Sequence, residues 1–333
     1  MKKWQNETFR QHFIPQVEQR FNAINPQAAP KNQRIYPFEI VNREAHELRL
    51  LNPNGQPISA ALAYPDLFSF DVEEDTNIRS NFENAFNLYE SNVKAHTESL
   101  IRKLTSGQSD INVNEEVVNL FTAKLLNYIR NPFSIHKALN TFGVVTDYVP
   151  ATPKHQITFE RILNGRKPHQ AHLCQELGIT DAEYEKWLRM LFMLFVPSGD
   201  GELNMLESVV KGSFINAEHE IVVLVSLYSD ARCLLSDRSF STNTDRPGVD
   251  SFDFNLSSRA FIRYLFADID AVAPPNTPAE YLANLKNEYK KLPRPIQLHY
   301  CIDNMELLGG FNRNVVYQSY RQVYCASQQP FIM

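Results

Sequence analysis

The chain has 333 residues, of which 43% are hydrophobic and 21% charged, with a formal net charge of −5. This ordinary balance excludes a disordered or collagen-like chain, and the acidic excess excludes a general electrostatic pull toward nucleic acid while leaving a local basic groove open. The four cysteines, Cys174, Cys233, Cys301 and Cys325, are spaced too widely and irregularly for a disulfide framework and point to a reducing compartment.

The opening stretch, MKKWQNETFRQHF, is basic without an apolar run, so no signal peptide is expected. The most apolar stretch, LRMLFMLFV, is too short to span a bilayer. The expectation is a cytoplasmic protein with no membrane partner. Residues 4–24 read as a helix in two pieces around Pro15, because proline suits the start of a helix better than its middle; His12 then lies at the junction. Residues 35–70 read as two or three antiparallel strands turning at NPNG, with DLFSFD as a connector. From Asn77 onward, the spacing of Ile78, Phe82, Phe86, Tyr89 and Val93 predicts a helix. Another follows in NEEVVNLFTAKLLNYIRNP, broken at Pro132 and resumed in FSIHKALNTF.

Residues 156–211 hold several more helices. Gly178 fits the position just past a helix end, Thr180 and Glu183 form a capping box for the next helix, and SGDGE is a loop. Residues 219–240 read as two strands joined through Ser229 and Asp230. Residues 257–267 and 278–291 read as helices, the latter with Thr277 as N-cap and Pro278 in its first turn. FNRNVVYQSYRQVY closes the chain as a final helix after LLGG. These elements predict an α+β fold, predominantly helical with two small antiparallel β segments. They form one compact domain over residues 1–333, divisible into closely packed lobes at about 1–145 and 146–333.

Three local patterns carry little chemistry. HQAHLC offers His169, His172 and Cys174, but no second ligand pair at zinc spacing follows. LCQELGITDAEYEKWL has the outline of a helix-turn-helix, yet it runs into an apolar stretch and lacks basic residues along the turn. LLGGFNRN has neither the glycine spacing nor the lysine of a nucleotide loop.

HFIPQ, DLFSFD, FENAFNLYE, LNYIRNP, LLSDRSF and FNRNVVYQSYRQVY occur in that order. The series resembles the bacterial proteins of domain-of-unknown-function family 4238. Those proteins show H-x-x-P near the start, a helix with two spaced glutamates, Q-x-x-R-x-P, a strand end reading S-D-x-P, and an asparagine opening the last helix. The resemblance covers almost the whole chain and rests on order and spacing. Asn127 stands where the family has glutamine, and Ser239 where S-D-x-P has its proline. Residue by residue, the resemblance implies a polar set of His12, Glu83, Glu90, Asn127, Arg130, Asp237 and Asn312. It implies no activity.

Glu83 and Glu90 are seven residues apart, so a helix sets them on one face two turns apart, alongside Phe86 and Val93. Carboxylates beside apolar neighbours must be paired, protonated or bound to a cation, and Arg130 is the candidate ion-pair partner. Asp237 ends a strand-like run, where side chains are well placed for chemistry; an Asx turn is its alternative. His12 serves as a general base, a metal ligand or a packing residue.

Two readings follow. In the first, a hydrolase uses His12, Glu83, Glu90 and Asp237 as catalytic residues and Asn127, Arg130 and Asn312 for binding. Such a set can hold a divalent cation such as magnesium and activate water against a phosphodiester, RNA or DNA, in a nuclease-like toxin or phage-defence effector. In the second, the same residues form a buried polar network in a non-catalytic binding or regulatory module with a protein partner. The hydrolase is the preferred reading.

Overall fold

A computed structural model describes residues 4–73, 78–107, 111–197, 199, 202–243, 246–291 and 296–332. In chain order the elements begin with β1 (Arg10–His12), α1 (Gln16–Phe21), β2 (Arg34–Asn42), β3 (Glu47–Leu50), β4 (Gln56–Pro57), β5 (Ala63–Pro65), β6 (Ser69–Val72) and β7 (Arg79–Asn81). Helices α2 (Glu83–Glu90), α3 (Val93–Leu104), α4 (Asn114–Ile129), α5 (Ile135–Phe142), α6 (Pro153–Asn164), α7 (Gln170–Leu177), α8 (Asp181–Phe195) and α9 (Met205–Ile215) follow. The chain then forms β8 (His219–Leu227), β9 (Leu235–Ser236), β10 (Val249–Ser257), β11 (Ala260–Asp268), α10 (Ile269–Val272), α11 (Ala279–Tyr289), β12 (Gln297–Ile302), α12 (Met305–Gln318) and β13 (Gln322–Cys325). None of the helices among the described residues is long and apolar enough to cross a membrane.

The chain divides into two compact units. The first comprises residues 1–16, 60–96 and 119–208; the second comprises 17–59, 97–118 and 209–333.

In the first unit, β1 pairs with β5 and β6 with β7, both antiparallel. The helix at its centre, α8, is specified by its own sequence. Thr180 accepts from the Glu183 amide while the Glu183 carboxylate reaches back to Thr180, closing the expected capping box. Gly178, at φ +67°, takes the left-handed turn that ends α7, a conformation that disfavours other residues. Trp187, Leu188, Leu191 and Phe192 are then fully buried. Phe68 packs against Phe86 at 4.8 Å and against Trp187 at 5.6 Å between ring centres. The Trp187 indole donates to the Ile129 carbonyl at 2.9 Å, so burying the ring leaves no donor unsatisfied.

The second unit holds a four-stranded sheet in the order β10-β11-β8-β12, with only the β12–β8 pair parallel. Its other sheet has five strands, in the order β3-β2-β13-β9 with β4 also on β2. Phe38, Leu234, Phe261, Phe311, Val316 and Val323 form one apolar cluster, in which Phe261 stacks on Phe311 at 4.3 Å.

The α+β class stands, but a predominantly helical chain with two small β segments does not. Among the described residues, helix takes 44% and strand 23%, with thirteen strands in four sheets. The largest error falls on residues 257–267, which read as a helix and form the turn of the β10–β11 hairpin and most of β11. Phe261, Ile262 and Tyr264 are fully buried, so both faces of β11 are buried, with Arg263 between them paired to Asp253. A strand buried on both faces lacks the alternation of a half-exposed strand, so periodicity cannot tell it from a buried helix. The expected helices at 4–24 and from 77 contain β1 and β7, each of three residues and too short to display a period of two. DLFSFD is not a bare connector but carries β6. ARCLLSDRSF supplies only the two residues of β9, which pair with β13 rather than with β8. The last helix starts earlier, with Asn304 capping the Leu307 amide, and takes in LLGG; the residues after it become β13. At α11 the cap position belongs to Pro278, one residue later than expected. Most of SGDGE lies outside the described residues.

Candidate functional site

Four of the expected polar residues come together in the first unit. Helix α2 begins at Glu83, whose amide is accepted by the Asn81 side chain at 3.1 Å, and it ends two turns later at Glu90. Between them, Phe86 is buried, and the Arg130 guanidinium lies over its ring, 4.5 Å from the centre. Arg130 follows the last turn of α4, bonding through its amide to the Leu126 carbonyl. Its side chain is 1% exposed; it is ion-paired with Glu90 and donates to the Asn127 side-chain oxygen Oδ1 at 3.0 Å. Asn127 and Arg130 are three residues apart, so the helical turn aims both at the same place.

Glu83 is the unusual member of this group. Burial pushes its carboxyl up from the ordinary 4.5 to about 7; Arg130 pulls in the opposite direction, and the nearby Glu90 charge adds to the rise. Its Oε1 is buried without a hydrogen-bond partner among the described residues. A carboxyl in this state can give or take a proton near neutrality. Arg130 supplies the positive charge that a cation would otherwise bring to Glu90. Among the described residues, no group of three or more His, Cys, Asp or Glu side chains is arranged to hold a metal ion.

His12, also in the first unit, ends β1 opposite Ala63. Its Nδ1 lies 3.0 Å from the Ala61 carbonyl, which can only accept, so this nitrogen carries the proton. Its Nε2 accepts from the Gln16 amide at 2.8 Å. The imidazole thus spans the turn between β1 and α1, and Pro15 stands immediately before that helix.

Asp237 and Asn312 belong to the second unit and are held by backbone groups. The Asp237 carboxylate accepts from the amides of Tyr320 and Arg321, each at 2.7 Å, and of Gln322 at 2.9 Å. Burial raises its carboxyl above the ordinary range, and these three amides with Arg238 offset part of that rise. The side chain therefore fastens the turn leading into β13. The local turn expected of Asp237 is made by Ser236 instead, whose hydroxyl accepts from the Arg238 amide at 3.0 Å. Ser239 has φ +69°, a value that the proline ring, fixed near −65°, cannot reach. Asn312, fully buried in mid-helix, accepts from the Leu234 amide at 2.9 Å and donates to the carbonyls of Arg232 and Phe331 at 3.0 and 2.7 Å.

Asn81 was missed in the sequence, although an asparagine two residues before a helix start is a recognisable turn signal. A second missed group, Tyr89 donating to Glu207 at 3.0 Å and accepting from Asn204 at 2.6 Å, left no local signal because its partners are more than 100 residues away. Comparison with protein families, curated proteins and solved structures finds no match to this chain.

Proposed function

We propose that the chain is a hydrolase in which Glu83 is the proton-transferring group. The observation that carries this reading is a largely buried carboxyl pushed to about 7, with an unpartnered oxygen, beside an arginine–glutamate pair. General acids and bases work best when they exchange protons near the operating pH. Arg130 and Glu90 act as positioning residues, since a guanidinium only 1% exposed does not reach a substrate. The phosphodiester substrate class, and the setting of a nuclease-like toxin or phage-defence effector, are carried over from the sequence reading. The engagement of Arg130 with Glu90, Asn127 and Phe86 favours the second reading, a binding module built on a structural ion pair.

Glu83→Gln separates the two readings. The purified chain is assayed on bis(4-nitrophenyl) phosphate and on single-stranded RNA and DNA from pH 5 to 9, with magnesium and with chelator. The expected result is turnover by the parent and a loss of about 10²–10⁴-fold in the variant, with no loss of thermal stability. Equal turnover by the two proteins overturns Glu83 as the proton-transferring group, and no turnover by the parent on any substrate overturns the hydrolase.

A further inference from the structure

A second group of titratable side chains in the first unit is built around Asp66. This residue follows β5 and holds a left-handed backbone at φ +48°, a conformation uncommon outside glycine that Asp tolerates better than most residues. The loop is clamped in place: the Asp66 amide donates to the Phe9 carbonyl at 2.8 Å, and Tyr184 donates to the Leu67 carbonyl at 2.8 Å. Gln11 donates to the Ser69 hydroxyl at 2.9 Å. The carboxylate is fixed through one oxygen only, Oδ1, which accepts from Ser69 Oγ at 2.9 Å and from Arg79 Nε at 2.8 Å.

The other oxygen, Oδ2, is buried and has no hydrogen-bond partner among the described residues. It faces Nε2 of His169 at 3.5 Å, with the carboxylate 2% exposed and the imidazole 36% exposed. Phe9 packs against the imidazole, with ring centres 5.6 Å apart. His169 stands at the cap position of α7 without using its side chain as a cap, so helix formation does not account for where the ring lies. A buried carboxylate held by two donors therefore presents its remaining oxygen to a half-exposed imidazole. Such an arrangement keeps the ring proton on Nε2 and leaves Nδ1 as the basic nitrogen. The 3.5 Å separation is longer than a hydrogen bond, as catalytic pairs often are before substrate binds.

We infer that Asp66 and His169 form a carboxylate–imidazole dyad that activates water against a phosphodiester. The inference rests on the hydrolase reading centred on Glu83 and supplies the base that this reading lacks. Arg79, which grips Asp66, precedes Glu83 by four residues, a reach of at most about 14 Å between their backbones. In the step assigned to the dyad, water gives a proton to Nδ1 of His169 as its oxygen bonds to phosphorus. The ester bond from phosphorus to the departing oxygen breaks, and that oxygen takes the proton of the neutral Glu83 carboxyl. The imidazolium and the carboxylate then exchange protons with solvent. His169 is the catalytic residue and Asp66 its positioning residue.

The test uses the full chain and two readouts. On bis(4-nitrophenyl) phosphate, His169→Asn is expected to lose about 10²–10⁴-fold in turnover. Nitrogen-15 spectra of the histidine rings are expected to show His169 with its proton on Nε2, and Asp66→Asn to abolish that preference. Since Asp66 is buried and its variant can fail to fold, the surface change at His169 carries the kinetic arm alone. Turnover in His169→Asn equal to the parent overturns the dyad while leaving Glu83 standing. Loss in His169→Asn without loss in Glu83→Gln supports the dyad and removes Glu83 as the acid. A His169 proton resident on Nδ1 overturns the dyad whatever the kinetics.

Discussion

Asp237 in the second unit and Glu83 in the first are both carboxyls raised by burial, yet their surroundings differ in kind. Asp237 receives three backbone amides and so is part of how the turn before β13 is built. Glu83 keeps a buried oxygen without a hydrogen bond, and its neighbours are other charges rather than amides. Burial alone therefore does not mark a functional carboxyl. A carboxylate saturated by main-chain donors stabilises a fold, whereas one left partly unsatisfied beside a guanidinium holds chemical potential that the fold does not use.

The strongest challenge to this contrast is Asp237→Asn. The variant turns an amide NH₂ toward backbone N–H groups that need an acceptor, and it should cost about 3–5 kcal/mol in urea denaturation. A cost under about 1 kcal/mol would show that the turn does not depend on the carboxylate.

Glu83→Gln should behave in the opposite way. Below 4.5 the Glu83 carboxyl is protonated in both folded and unfolded chains, and it exerts no penalty. Between 4.5 and about 7 only the unfolded chain ionises, so parent stability falls as pH rises, and above about 7 the loss is complete. The full loss is on the order of 3 kcal/mol, and the variant should lack this slope. Parallel stability–pH curves for the two proteins would remove Glu83 from its special place.

The smallest effect is expected at the surface of the second unit. Arg49 and Glu39 form an ion pair with side chains 67% and 41% exposed. Arg49→Ala should change stability by less than about 0.5 kcal/mol, because exposed pairs gain little over solvation. A larger change would mean that charge in this unit is not confined to its buried turns.

What the sequence made legible was local. The capping box of α8 and the glycine after α7 depend on residues a few positions apart and form as read, whereas the expected helix through Val93 stops at Glu90 and resumes as α3. What it hid was set by distant partners. β11 is a strand because β8 and β10 flank it, and nothing within residues 260–268 states this. β12 has an exposure pattern that does not alternate with the period of two that marks a strand. Asp237 carried the right signal, a polar residue at a strand end, but its partners lie more than eighty positions later. Asp66 and His169 are likewise about a hundred residues apart, so neither announces the other.

The pairing of β2 with β13, Phe38 opposite Val323, has a consequence for how the protein is made. On a ribosome adding about 5–20 residues per second, β13 emerges roughly 15–60 s after β2. For that interval β2 can pair with β3 and β4, but its other edge has no native partner. An open strand edge recruits strands from other chains. The yield of correctly folded protein should therefore depend on translation speed and on chaperones that shield nascent strands, more steeply than for a protein whose sheets close between neighbours in sequence.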